Sequence, residues 1–185
     1  RLTDDLSPNV DGELHHRVSS LPASEFTITA MRDDGLGGDE IAGDDIHTAV
    51  LPAHPEGTVV EFFVKALVRS QGRPRTTLQS RTWPGTTSPG GDQEANLLYQ
   101  VDSERDTGRT PFYRIILSAP ELAEFSNISL TSQDRDTNAL FNATFIAGLD
   151  GEHTTYYRCG VRLRGASTRQ RYPRNLKLEL PSTHG

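Results

Sequence analysis

The chain has 185 residues, 34% of them hydrophobic and 24% charged, with a formal net charge of −6. That length suits one large domain or two small ones, and no window approaches the ~20 apolar residues of a membrane helix, so no membrane span is expected. A single cysteine, Cys159, excludes an internal disulfide framework and a Cys-rich zinc site, while the negative balance argues against nonspecific nucleic-acid binding.

Sixteen glycines and eleven prolines make the chain rich in turns without making it a low-complexity polymer. Charge is unevenly spread. Residues 1–60 carry twelve acids and three bases, a net of −9, whereas residues 151–185 carry two acids and seven bases, a net of +5. The two ends should attract one another, within a chain or between copies, over the screening length of roughly 8–10 Å. The opening RLTDDLSPN has no initiator Met and no apolar signal core, so any targeting segment is expected to be missing or removed.

In chain order, the strongest periodicity is period two. EFTITAM sets Phe26, Ile28 and Ala30 against Thr27 and Thr29, and DDIHTAVLP sets Ile46, Thr48 and Val50 on one side. In TVVEFFVKALV, Val60, Phe62, Val64, Ala66 and Val68 form an apolar inner face, with Glu61 and Lys65 on a partly wet outer one. Leu97, Tyr99 and Val101 repeat the pattern. Turn clusters (DDGLGGD, PAHPEG, SQGRPR and WPGTTSPGGDQ) separate these runs. Short strands at this spacing, with no long helical stripe, predict a mainly β protein that opens with an immunoglobulin/fibronectin-like β-sandwich over residues 8–102.

The charged stretch 103–111 reads as a linker. Beyond it, FYRIILS, NATFIAG, HTTYYRCGVRLRG and NLKLELP read as strands, and APELAEF as one short helix. This second unit, 112–185, is a small β-rich lobe whose core is marginal alone. It is therefore expected to lean on the sandwich, on another chain or on further sequence.

Three groups of residues offer chemistry. Asp33, Asp34, Asp39, Asp44 and Asp45 lie in a glycine-rich loop and supply hard oxygen ligands of the kind Ca²⁺ accepts, although the spacing is not that of an EF-hand. The same residues also build consecutive turns by bonding nearby backbone N–H groups, and both readings stay open. Trp83, the only tryptophan, either stacks on carbohydrate together with Tyr99 or plugs the edge of the sandwich core. Arg162 and Arg164 share one face of a strand, and Arg169, Arg171, Arg174 and Lys177 follow in the turn and return strand. That hairpin can hold phosphate or an acidic partner, or pair with acids elsewhere in the chain. His15 and His16 are adjacent and point to opposite faces, so they cannot chelate one ion together.

The segment GVRLRGASTRQRYPRNLKLELP resembles the opening motif of the CotH kinase-like proteins, whose pattern runs roughly G-V-R-x-R-G-x-S-S-R, then P-K/R, then a strand ending near Pro. FYRIILSAPELAEF and NALFNATFIAGLDG are similar to the segments preceding it in that family, and MRDDGLGGDEIAGDDIHTAVLPAHPEGTVVEFFVKA resembles the immunoglobulin-like module often found upstream. The resemblance spans about residues 26–180 and puts Arg162, Arg164, Arg169 and Arg174 on the motif's positions, with Thr168 where a second Ser is common. It implies a secreted or cell-surface bacterial protein. The family's kinases use ATP and a divalent metal, but the chain stops at Gly185, ahead of the segment that carries their catalytic acids. Phosphoryl transfer needs those parts. The expected role of this chain is thus a non-catalytic structural or binding one, as a self-assembling surface or fibre component that contacts other protein chains. A fragment of a CotH-type kinase and a carbohydrate-binding module are the alternatives.

Overall fold

Alternation of apolar and polar residues makes strands here because a pleated chain sends successive side chains to opposite faces. The computed structural model describes residues 10–68, 79–85, 95–103, 109–128, 137–165 and 173–181. Its fold is mainly β, with two antiparallel sheets and one short helix, as the strand spacing predicts.

The strands are β1 (Val10–Val18), β2 (Thr27–Met31), β3 (Val59–Val68), β4 (Gln79–Trp83), β5 (Leu97–Gln100), β6 (Phe112–Leu117), β7 (Phe141–Leu149), β8 (Glu152–Leu163) and β9 (Leu176–Glu179). The helix α1 spans Ala119–Ile128, between β6 and β7. One sheet runs β2-β1-β3-β4, with β5 also paired to β3, and the other runs β6-β7-β8-β9. The chain clusters into two units that do not follow sequence order. The first comprises residues 1–17, 25–54 and 62–96, and the second 18–24, 55–61 and 97–185. Within the expected linker, residues 104–108 lie outside the described residues.

In the first unit, β2 pairs antiparallel with β1, Leu14 opposite Thr29 and His15 opposite Ile28. His15 stacks on Phe63 with ring centroids 4.5 Å apart, and Phe26 meets the same ring edge-on at 5.1 Å. Ile28, on the apolar side of the sequence pattern, is 58% exposed because β2 ends the sheet and has no described strand beyond it. The expected strand around Ile46, Thr48 and Val50 shrinks to one bridge between Thr48 and Arg32, and Ile46 and Val50 are exposed. Aspartate side chains take up the backbone N–H groups of this stretch and hold it as a loop instead.

β3 also departs from its expected wet outer face, since Glu61 is only 2% exposed and Phe63 is buried as well. The strand is interior to its sheet, and Ser19 Oγ donates to Glu61 Oε1 at 2.8 Å, so the buried carboxylate has a partner.

The core of the second unit gathers Phe125 and Ile128 from α1, Phe141 and Ala143 from β7, and Cys159, Val161 and Leu163 from β8. Phe125 and Phe141 pack edge-to-face at 5.5 Å. Asp150 and Gly151, both at positive φ (54° and 82°), turn β7 into β8 between Leu149 and Glu152, the backbone that a two-residue hairpin favours. A bulge shifts the register between Ala143 and Phe145, with Arg158 at φ 59°. The extra residue resets the alternation, which is why Tyr156 and Cys159, three apart, both pack into the core.

Candidate functional site

The acidic loop is the tightest gathering of potential ligands. Oxygens of Asp33, Asp39 and Asp44 lie within 4.8 Å of one another, and Asp34 and Asp45 stand outside that group. Backbone donors reach the same carboxylates. Asp33 Oδ1 accepts from Gly43 N at 2.8 Å and Asp44 N at 3.1 Å, and its Oδ2 accepts from Asp45 N at 3.1 Å. Asp39 Oδ2 accepts from Gly35 N at 2.6 Å, and Asp44 Oδ1 from Ile46 N at 2.9 Å. Asp34 Oδ1 accepts from Leu36 N at 3.1 Å and its Oδ2 pairs with exposed Arg32. Positive φ at Gly35, Gly37, Gly38, Gly43 and Asp45 lets the chain curl around these side chains. The hydrogen bonds account for the convergence of the aspartates as a self-closed turn system. The hard-oxygen set is also one that a divalent cation tolerates.

The basic face lies on β8 and β9. Arg162 stands directly opposite Lys177, and Val161 opposite Leu178. Alternation therefore sends Val161, Leu163 and Leu178 to the core and the two cations outward. Arg162 Nη1 donates to Asn138 Oδ1 at 2.9 Å, and Lys177 Nζ lies 2.6 Å from Glu179 Oε1. The hydrogen bond and charge of Lys177, helped by Arg162, hold the Glu179 carboxyl below its ordinary range. A carboxylate thus sits among the cations, which moderates the anion-holding character expected of this hairpin. Arg164 is exposed at the end of β8, where its N–H donates to the Asn175 carbonyl at 2.8 Å, and Arg174 is half-buried. Arg169 and Arg171 lie outside the described residues.

Trp83 closes β4 opposite Val64 and is 43% exposed, so it does not plug a core; the next residue, Pro84, is fully buried instead. Tyr99 belongs to the second unit, and burial pushes its hydroxyl up from the ordinary tyrosine range. Trp83 belongs to the first unit.

The sequence pattern missed a buried polar cluster in the second unit. Ser19 Oγ donates to Glu61 and accepts from Ala119 N at 2.7 Å, at the first turn of α1. Ser118 Oγ donates to Glu121 Oε2 at 2.9 Å while Glu121 N reaches back to Ser118 Oγ at 3.4 Å. Glu121 Oε1 accepts from Asn142 N at 3.0 Å. Burial raises the Glu121 carboxyl above its usual range, and the Glu61 charge adds to this against the lowering effect of the hydrogen bonds. The spacing Ser118-x-x-Glu121 is a capping box and was the available signal. Cys159 is buried, donates to the Tyr156 carbonyl at 3.2 Å, and has its thiol raised by burial.

Compared with protein-family models, curated proteins and solved structures, the chain matches none.

Proposed function

We propose that this chain is a non-catalytic, self-assembling structural module that accepts a strand from another protein chain along the open side of β9. The observation that carries the reading is the backbone of that strand. Arg164 N donates to the Asn175 carbonyl, and the register continues through Arg162–Lys177 and Gly160–Glu179. In an antiparallel ladder the hydrogen-bonded pairs alternate. Asn175, Lys177 and Glu179 therefore turn their N–H and C=O groups toward β8, and Leu176 and Leu178 turn theirs the other way. β9 ends its sheet among the described residues. Leu176 and Leu180, 42% and 50% exposed, add apolar surface along the same margin. Unpaired strand groups beside exposed leucines are a template for another strand.

The loop aspartates and Glu121 accept backbone N–H groups, whereas among the described residues no strand pairs along the outer side of β9. The setting we infer, an extracellular or bacterial cell-surface protein, rests on the CotH resemblance alone.

Light scattering over a concentration series tests the assembly. The wild-type mass is expected to rise with concentration, and Leu176→Pro, which removes an outward donor without breaking the β8 ladder, is expected to abolish the rise. A wild-type chain that stays single at every concentration overturns the proposal.

A further inference from the structure

We infer that the strand received by β9 is β2 of a second copy, docked antiparallel; this rests on the assembly reading above and names its partner. β2 is the other strand end suited to the task. Arg32 exchanges both backbone hydrogen bonds with Thr48, at 2.8 and 2.7 Å. The alternation carries the N–H and C=O groups of Ala30 and Ile28 to that same side, away from β1. Beyond the Thr48 bridge no described strand pairs there. Thr27–Met31 contains no charge, proline or glycine, the devices that normally blunt a sheet margin. Two other described margins, those of β4 and β6, are guarded. β4 carries Arg81 at its centre, and Arg114 of β6 forms an ion pair with Asp102.

Side-chain chemistry fits the pairing. A strand added beside β9 continues its two faces, so exposed Ile28 and Ala30 can run along Leu176, Leu178 and Leu180. Charge selects the direction. β2 leads into the acidic loop that begins with Asp33 and Asp34, and β9 begins just after Arg174, beside Arg164. Antiparallel docking brings these acidic and basic ends together, in line with the net charges of −9 and +5 in residues 1–60 and 151–185. Each copy has one donor and one acceptor margin, so the contact is heterologous and propagates head to tail. The pairing involves only a few residues per strand, which makes each contact weak and salt-sensitive.

A complementation experiment with full-length chains tests this. Ile28→Pro blocks the donor and Leu176→Pro the acceptor; Ile28→Lys and Leu176→Lys form a second pair should a proline disturb folding, with circular dichroism of each. Every variant alone is expected to stay a single chain at concentrations where the wild type assembles. An equimolar mixture of one Ile28 and one Leu176 variant is expected to form a particle of two chains and stop there. If the Ile28 variants still assemble while the Leu176 variants do not, β9 takes a different donor, and this inference falls while the assembly reading stands. Assembly that survives in the Leu176 variants, or a wild type that never assembles, takes both down.

Discussion

Glu121 Oε1 accepts the backbone N–H of Asn142 at 3.0 Å, which fastens the first turn of α1 to the start of β7. The same carboxyl is raised by burial, so the folded chain keeps its proton to a higher pH than the unfolded chain does. Between the ordinary glutamate range and the raised value, the folded state binds more protons, and stability falls as pH rises through that window. Urea unfolding of wild type and Glu121→Gln between about pH 4 and pH 8 should show the wild type losing stability relative to the glutamine variant as pH increases. Parallel pH profiles would remove Glu121 from the account.

Gly148 pairs with Phe112 across β6 and β7, and a Cβ there would run into the phenyl ring. Gly148→Ala is expected to cost about 1–3 kcal/mol, the usual range for overpacking. Truncating Phe112 to Ala should cost less in the Gly148→Ala background than in the wild type, because the ring is then already displaced. A double-mutant cycle by chemical denaturation measures that coupling, and additive effects would contradict the clash.

Asp33 gathers three backbone N–H groups from Gly43, Asp44 and Asp45. Asp33→Ala should release that turn, seen as faster amide exchange at those three residues, with the second unit unaffected. Adding calcium to the wild type should leave their exchange unchanged if the loop closes on its own hydrogen bonds. Calcium-dependent protection would instead assign the aspartates to a cation.

Cys159 lies in the core beside Phe141 and Val161, with its thiol raised by burial. A thiol reagent needs the thiolate and access to it. Labelling of the native chain should therefore be far slower than that of a free cysteine and should accelerate in step with urea-induced opening. Rapid labelling without denaturant would show that this core is not closed.

The strands of the second unit were legible because FYRIILS, NATFIAG and NLKLELP each combine apolar alternation with nearby turn residues. The helix was legible from its early proline and the helix formers after it, and it runs on to Ile128. The burial of Glu61 is not legible because alternation reports which residues share a face, not whether that face is covered. Ser19, which is 42 residues away in sequence, gives the carboxylate a partner inside. The strand expected at Ile46–Val50 failed for the opposite reason. Side-chain-to-backbone bonds from Asp33 and Asp44 compete locally with a ladder, and in this loop they win. Alternation alone sets Glu179 on the same face as Lys177, two residues away, but the cross-strand match of Lys177 to Arg162 depends on pairing register, which spacing alone does not give.

The Ser19 hydroxyl joins Glu61 to the start of α1, a span of 100 residues along the chain. Splitting the polypeptide near residue 103 would therefore leave the later fragment without Ser19, which meets Ala119, and without Glu61 behind it, however well its own four strands pair. During synthesis, Ser19 and Glu61 leave the ribosome long before the Ala119 amide that donates to Ser19. This corner of the second unit can be sealed only after α1 has emerged.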